Sequence, residues 1–226
     1  TATLACKLKK CSFAQESTVY LGHVVSERGI EPEPAKLAAV KEIAPPTTVK
    51  EIRMFLGFVG YYRRFINNFS AVAKPLNDLL RKATEWHWGV EQQDAFEALR
   101  DALLAAPILQ MPDFTKKFTI RTDASYTGLG ACLLQGEGDE QRPIAYASRS
   151  LKPAETRYTA TEIECLGMKW AVNTFRPYVH GRRFTLETDH VALKWLRTVQ
   201  HNNARLIRTA MELQQYEMDI VHRAGI

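Results

Sequence analysis

Apolar positions in the first half of the chain recur every three or four residues, which is the spacing of a helix that buries one face. The clearest stripe consists of Ile52, Phe55, Leu56, Val59 and Ile66. Thr47 or Thr48 can cap the start of this helix, and Glu51 stands three residues after Thr48, as in a capping box. We therefore expect an amphipathic helix that ends at about Ile66.

Prolines and turn residues divide the rest of residues 1–115 into short elements. Residues 19–25 form a β-rich apolar run, and a turn signal at 26–29 follows it, which predicts a hairpin edge. Helical periodicity predicts further helices at residues 35–43, 71–82 and 90–105, each interrupted or followed by prolines or polar residues.

The pattern changes after residue 115, where short apolar strands alternate with helices. Strands are predicted at residues 118–122, 128–135, 143–148, 184–188 and 218–222. Helices are predicted at residues 154–178, 192–197 and 204–216. The order βββαβααβ places a meander first and crossover connections after it. This order predicts an α/β fold with a mixed five-stranded sheet and helices packed against it.

Composition supports an ordinary globular chain. Of its 226 residues, 46% are hydrophobic and 24% are charged, which argues against disorder and a coiled coil. No apolar run reaches the roughly 18 residues of a transmembrane helix, and no secretory signal is visible. The first residue is Thr1, so we expect a piece of a longer polypeptide. The cysteines lack zinc-site spacing, and we expect reduced core thiols: Cys6, Cys11, Cys132 and Cys165.

Positive charge is concentrated near the N-terminus. The net charge is +5, but residues 1–82 carry 13 basic and 7 acidic side chains, whereas residues 83–226 carry 17 and 18. The first third is therefore a candidate for contact with a polyanion, and a solvated basic surface is the alternative.

Two predicted strands end in the same Thr-Asp pair, at Asp123 and Asp189. If the strands are parallel neighbours about 5 Å apart, their carboxylates meet at the carboxyl edge of the sheet. Two such carboxylates repel each other unless a proton or a cation separates them, and divalent cations suit oxygen ligands. Glu164 is the best third ligand because it shares a helix face with small residues, whereas Glu162 lies on a face that we expect to be wetter. For a single acidic residue, a solvated charge or a helix cap is the alternative.

A second candidate site lies on the helix that follows Thr48. Arg53, Gly57, Gly60, Tyr61 and Arg64 share a face opposite the apolar stripe. Glycines flanked by arginines allow a nucleic-acid backbone to approach while guanidinium groups hold phosphates. Helix packing through the glycines is the alternative. The run 20–23 could likewise hold a primer end or form an ordinary hairpin.

These motifs together resemble gypsy-type LTR-retrotransposon Pol polyproteins. The RNase H domain of that family is similar to the Thr-Asp-Ala-Ser run at 122–125 with Gly128 and Gly130, to the Thr-Glu-Ile-Glu run at 161–164, and to the runs 175–178, 180–182 and 184–193. The end of the reverse-transcriptase palm and the thumb resemble the runs 20–23, 55–66 and 74–76, and the following linker resembles Trp88, 95–96 and 103–107.

The resemblance implies an organisation and an activity. It implies a palm end at residues 1–30, a helical thumb at 31–82, a linker helix at 83–115, and an RNase H-like domain at 116–226. That domain would be a metal-dependent endonuclease, cutting the RNA strand of an RNA–DNA hybrid with two Mg²⁺, for which Mn²⁺ can substitute. Asp123 would bridge both ions, and Glu164 and Asp189 would complete part of their coordination.

The resemblance also implies partners and a location. These are the hybrid, a primer–template duplex and the rest of a reverse transcriptase upstream, with no membrane contact, inside the cell in element particles or the nucleus. The polymerase Asp-Asp pair is absent, and the family's fourth aspartate, in a final helix, has no match before Ile226. We therefore expect this domain to lack its final helix and its metal site to be incomplete. A non-catalytic nucleic-acid-binding or assembly module, either truncated, decayed or domesticated, is the alternative function.

Overall fold

The computed structural model describes residues 11–82, 84–189 and 203–223. In its N-terminal part the elements are β1 (Ser17–Tyr20), β2 (His23–Ser26), β3 (Gly29–Pro32), α1 (Pro34–Lys41), α2 (Val49–Tyr61), α3 (Phe69–Val72), α4 (Lys74–Asp78) and α5 (Val90–Leu104). In its C-terminal part they are β4 (Phe118–Ser125), β5 (Gly128–Gln135), β6 (Arg142–Ser150), α6 (Ala160–Thr174), α7 (Arg176–Val179), β7 (Phe184–Thr188), α8 (Ala204–Gln214) and β8 (Met218–His222). The predicted helix at 192–197 lies outside the described residues.

The C-terminal part is built on a mixed five-stranded sheet in the order β6-β5-β4-β7-β8. Strands β4, β5 and β6 are antiparallel neighbours, whereas β4 pairs with β7, and β7 with β8, in parallel. The predicted fold class, a mixed five-stranded sheet with helices and a helical region before it, is therefore confirmed. In the β4–β7 register, Arg121 lies opposite Glu187. Asp123 and Asp189 each stand two residues further on, at the same edge of the sheet.

The sheet is covered by α6, which approaches it closely. The inner faces of the sheet and the helices form one core that includes Ile120, Leu133 and Leu186 from the strands and Met168 from α6. Gly167 makes the approach possible, since a Cβ at this position would lie 3.0 Å from the Cβ of Ala124. This agrees with the small-residue face that the sequence predicts for the helix.

The N-terminal part has a hydrophobic core of its own, centred on α2 and α5. Ile52, Phe55 and Val59 are buried, as the apolar stripe predicts, and the rings of Phe55 and Phe96 lie 4.7 Å apart. The Thr48 side chain accepts a hydrogen bond from the Glu51 amide, so the predicted cap is present. The strands β1, β2 and β3 form a separate antiparallel sheet.

Two predicted helices end earlier than expected or are divided. Helix α2 ends at Tyr61 rather than near Ile66, because a 3-10 turn at Arg63–Phe65 follows and packs on β6. The single helix predicted at 71–82 is instead α3 and α4, and Pro75 lies in the first turn of α4, where its missing N–H costs nothing.

The long helix predicted at 154–178 and the strand-like run at 19–25 are likewise divided. Thr159 and Glu162 form a capping box that starts α6 at Ala160. The run 19–25 folds back on itself because Leu21 and Gly22 adopt left-handed conformations, with φ of 48° and 75°. The result is the β1–β2 hairpin.

The two parts contact each other directly. The Ser70 amide donates to Ser148 Oγ at 2.8 Å, and the Arg63 guanidinium donates to the Ser148 carbonyl. The Gln110 amide, which follows the N-terminal part, donates to the Pro143 carbonyl of β6 at 2.8 Å. The proposed domain boundaries at residues 30, 82 and 115 stay a prediction.

Two of the cysteines that the structure describes are buried in the core. Cys132 and Cys165 are buried thiols, and burial raises the pKa of each to about 12. Cys11 is half-buried, and Cys6 lies outside the described residues. None of the described helices is both long and apolar enough to cross a bilayer.

Candidate active site

Asp123 lies in β4, two residues before its carboxyl end, and Asp189 directly follows β7. The two strands are tied near this edge by Thr122 Oγ1, which donates to the Glu187 carbonyl at 3.3 Å. Strand β8 supports Asp189 from the other side, since His222 Nε2 donates to the Asp189 carbonyl at 2.9 Å. The strand-end echo in the sequence therefore places both carboxylates at one edge, as predicted.

Glu164 approaches this edge from α6. Its side chain is buried, with 8% of the residue exposed, and its Oε2 has no hydrogen-bond partner among the described residues. Burial, and then the negative charges of Asp189 and Asp123, raise the pKa of Glu164 to about 7. A buried carboxylate with an unpaired oxygen beside two other carboxylates fits a cation, because a cation would supply the missing partner and offset the repulsion.

Glu162 is saturated with partners, and the expectation that it faces water is wrong. The residue is only 6% exposed because its carboxylate folds back on the helix start and across to α8. Hydrogen bonds from the Thr159 amide, then from Asn203, and a contact with Arg205 lower the pKa of Glu162 to about 2. Glu162 is a helix cap, which leaves Glu164 as the α6 carboxylate with a free coordination site.

A groove of about 450 Å³ opens beside the aspartates. Asp123 and Asp189 line it together with Arg121, Arg223 and Asn67, and Glu164 is not part of its lining. Within residues 11–82, 84–189 and 203–223, no three His, Cys, Asp or Glu side chains already have the arrangement of a metal site. The donor chemistry suits a hard divalent cation nevertheless, because all three acidic residues offer oxygen.

Asn68 touches the site and was not anticipated from the sequence. Its Nδ2 donates to Asp123 Oδ2 at 2.9 Å, across 55 positions of the chain. Asn68 belongs to the connection between the 3-10 turn and α3, which packs on β5 and β6. A neighbouring pair of asparagines is a common turn signal, and nothing in the local pattern indicates a contact with a strand so distant in sequence.

The candidate nucleic-acid face on α2 is only partly assembled. Arg53 is exposed, and Gly57 is exposed with open space around a Cβ position. Gly60 instead packs near the Phe69 ring, at 3.8 Å from a Cβ position. Tyr61 is 53% exposed and its hydroxyl donates to the Leu21 carbonyl at 2.5 Å. Gly60 therefore serves the packing of α2, the alternative to a nucleic-acid contact, whereas Gly57 has no such packing contact.

Arg64 does not share that face. Because α2 ends at Tyr61, Arg64 lies in the 3-10 turn, where its Nη2 donates to the Ile144 carbonyl of β6 at 3.4 Å. The expected continuous helical face from Arg53 to Arg64 is therefore wrong, and Arg64 faces the sheet of the C-terminal part.

Other acidic residues are engaged elsewhere. Asp219 on β8 pairs with Arg183 and Lys117, which hold the pKa of its carboxyl well below the ordinary range. Glu155, in a 3-10 turn before α6, receives two hydrogen bonds from Arg149 at 2.6 and 3.0 Å. His190, which follows Asp189 in the sequence, lies outside the described residues.

Comparisons with known proteins agree with this fold. Residues 113–216 match the family described as an RNase H-like domain found in reverse transcriptase. The Pol polyprotein of transposon 297 from Drosophila melanogaster is 42% identical over 225 residues, covering 99% of this chain and 21% of that protein. Residues 113–216 therefore form an RNase H-like domain of the kind found in reverse transcriptase, and the homologues of the chain are retrotransposon Pol polyproteins. The Pol polyprotein of transposon gypsy from the same species is 34% identical over 99% of this chain and 22% of that protein. The transposon Tf2-3 polyprotein of Schizosaccharomyces pombe is 33% identical over 99% and 17%. The chain thus spans about a fifth of the length of these relatives.

Solved structures show the same fold. A foamy viral protease–reverse transcriptase in complex with double-stranded DNA has a TM-score of 0.80 and 22% identity, covering 97% of this chain and 47% of that one. The corresponding complex with an RNA/DNA hybrid has a TM-score of 0.77 and 22% identity, covering 97% and 31%. The shared fold includes the helical region as well as the five-stranded sheet, since nearly the whole chain is covered.

Proposed function

We propose that the RNase H-like domain hydrolyses the RNA strand of RNA–DNA hybrids, with Asp123, Glu164 and Asp189 as its metal-binding carboxylates. The observation that carries this proposal is the buried Glu164 carboxylate, which has an unpaired oxygen and interacts electrostatically with both aspartates. Asp123 and Asp189 are exposed, but a buried Glu164 carboxylate beside their negative charges is unfavourable without a proton or a cation, so a site of this kind has a functional explanation.

Mg²⁺ is the cofactor that we propose, with Mn²⁺ as a substitute that accepts the same oxygen donors. When bound, such ions lower the pKa of a water and stabilise the leaving oxygen of an in-line displacement. The protein's own residues shape the entry: Arg121 and Arg223 line the groove beside Asp123 and Asp189. Both arginines also contact Glu187, which limits their freedom and keeps positive charge where a phosphodiester would enter.

Cleavage of a labelled RNA strand tests the activity. The chain, and a longer polyprotein segment that continues past Ile226, are incubated with a hybrid in Mg²⁺ or Mn²⁺. Asp123→Asn should abolish cutting. Asp219→Asn is the matched control, because it removes a carboxylate from the same sheet but outside the candidate site, and it should retain cutting.

The outcomes separate the two functions. Loss of cutting in Asp123→Asn alone supports the nuclease. Equal cutting by both variants would exclude Asp123 from the chemistry. An absence of cutting in every form, with hybrid binding intact, would favour the non-catalytic binding or assembly module. Cutting by the longer segment alone would indicate that a further carboxylate beyond Ile226 is needed.

We further propose that α2 contacts a primer–template duplex as part of a larger reverse transcriptase. Arg53 and Gly57 support this, because the glycine leaves open space beside an exposed guanidinium group. The Tyr61 hydroxyl connects the exposed β1–β2 turn to the C-terminal end of α2. Structural neighbours bound to double-stranded DNA and to an RNA/DNA hybrid support a duplex as the ligand.

Salt dependence of duplex binding tests this contact. Arg53→Ala should weaken binding of any sequence and lower the slope of log affinity against log salt by about 1, as expected for one lost phosphate contact. Arg81→Ala is the control, because Arg81 is also exposed but pairs with Asp78 on α4. An unchanged slope in Arg53→Ala would remove α2 from the interface.

A further inference from the structure

The side chain of Asn68 does not make the helix-capping hydrogen bond that an asparagine at its position normally makes. Asn68 occupies the N-cap position of α3, yet its side chain makes no capping bond. Its φ of 49° is left-handed, a conformation that asparagine tolerates better than most residues but that still costs free energy. The amide is instead directed at Asp123, so the local arrangement serves a contact with a distant strand.

The sheet provides a gap for this amide. Gly130 on β5 is paired with Asp123 on β4, and a Cβ at residue 130 would overlap Asn68 Oδ1. The side chain of Asn68 therefore rests where any other residue at position 130 would place its own. The space that Gly130 leaves on β5 is therefore filled by the side chain of Asn68 from the helical region.

The segment that presents Asn68 is itself fixed to the sheet. On one side of it, Arg63 donates to the Ser148 carbonyl, and on the other side the Ser70 amide donates to Ser148 Oγ. Two contacts with the same residue of β6 thus bracket Asn68. Asp123 Oδ1 has no protein donor in the part of the chain that the structure describes, so the asparagine occupies only one of the two carboxylate oxygens.

We propose that Asn68 is a positioning residue of the nuclease site: it holds one oxygen of Asp123 and leaves the other for a cation. This inference rests on the proposed function. It makes the helical region part of the site, because the donor comes from outside the five-stranded sheet and its covering helices. Partners that orient a metal ligand in this way typically contribute about 10–100-fold to metal affinity.

Asn68→Gly removes the donor and keeps the backbone, since glycine accepts a positive φ without strain. Mn²⁺ binding to the whole chain is measured by titration calorimetry, with the folded fraction checked in each sample. We expect about tenfold weaker binding in Asn68→Gly. Asn77→Ala is the control, because the Asn77 amide only donates to the Ala73 carbonyl within the helical region, and its Mn²⁺ affinity should be unchanged.

A double-mutant cycle with Gly130→Ala tests the contact without any metal. In the wild-type background the new methyl group meets Asn68 and should clearly lower the urea midpoint. In the Asn68→Gly background the clashing atom is absent, so Gly130→Ala should be much milder, and the two effects are not additive.

Each outcome bears on a different statement. Additive effects in the cycle would overturn the contact itself. Non-additive effects with equal Mn²⁺ affinity in wild type and Asn68→Gly would overturn the positioning role while leaving the proposed function standing. If neither the wild-type chain nor the longer segment that continues past Ile226 binds Mn²⁺, both the proposed function and the positioning role are overturned.

Discussion

Replacing Glu164 with glutamine should stabilise the metal-free protein at high pH, although it removes a proposed metal ligand. The folded-state pKa of Glu164 is raised to about 7, from an ordinary value of 4.5, by burial and by Asp189 and Asp123. The unfolded chain releases this proton near the ordinary value, so the stability of the fold falls as pH rises from there to about 7. At about 1.36 kcal/mol per pH unit, ionising Glu164 in the fold costs on the order of 3 kcal/mol.

Urea denaturation in EDTA measures this directly. Wild type and Glu164→Gln should have similar free energies of unfolding at pH 4.5, and the variant should exceed wild type by roughly 3 kcal/mol at pH 8. Adding Mn²⁺ at pH 8 should raise the wild-type value and leave the variant almost unchanged, because bound metal stabilises only the form that holds it.

Glu162→Gln is the matched control on the same helix. The Glu162 carboxylate is well partnered, and its pKa is lowered from an ordinary value of 4.5 to about 2, so by the same conversion neutralising it should lower the free energy of unfolding at pH 8 by up to roughly 3 kcal/mol. The reasoning is refuted if Glu164→Gln lowers stability at pH 8 in EDTA. That result would mean that the Glu164 carboxylate is solvated or paired in the fold.

Three further substitutions test the framework around the site. Burial raises the pKa of Glu155, but hydrogen bonds from Arg149 outweigh it and lower the net value. Arg149→Met should therefore cost roughly 2–3 kcal/mol at pH 7 in urea denaturation, and the cost should shrink as pH falls and Glu155 is protonated. Gly22→Ala should cost about 1–2 kcal/mol by the same assay, because φ is +75° and the new Cβ would lie 2.9 Å from the Tyr62 hydroxyl. Phe96→Ala should lower the free energy of unfolding by about 3–5 kcal/mol, since the ring is fully buried.

Each of these expectations has a contrary result. A cost for Arg149→Met that is independent of pH would mean that lost packing, rather than the ion pair, sets its effect. A neutral Gly22→Ala would show that the β1–β2 turn relaxes freely. A loss below about 1 kcal/mol for Phe96→Ala would place the ring outside a well-packed core.

Strand positions follow from the sequence better than helix ends do. The strands β5, β7 and β8 begin and end where the apolar runs and turn residues predict. Helix α2 begins at its predicted cap but stops early, because Arg63 and Arg64 bond to carbonyl groups of β6. Those bonds depend on a sheet that is distant in sequence, so no local pattern could indicate them.

In the candidate site, too, the residues on regular elements follow from the sequence, whereas their contacts with distant residues do not. The repeated strand ends indicate Asp123 and Asp189, and the small residues on its helix face indicate Glu164. The burial of Glu162 was missed because its partner Arg205 comes from α8, and Asn68 was missed because its partner lies on β4. The periodicity of apolar residues predicts which face of a helix or strand is buried, but it does not predict which residue from a distant part of the chain contacts that face.

The crossing between the two parts has a mechanical consequence. Leu109 bonds back to Ile30, while the next residue, Gln110, donates to the Pro143 carbonyl at 2.8 Å. The chain therefore passes from the N-terminal to the C-terminal part between Leu109 and Gln110, and backbone hydrogen bonds hold the residue on each side. A hinge needs residues that are free to change φ and ψ, and the hydrogen bonds of Leu109 and Gln110 restrict both residues. A force that moves the helical region should therefore move the sheet with it, because no flexible linker lies between them at these described positions.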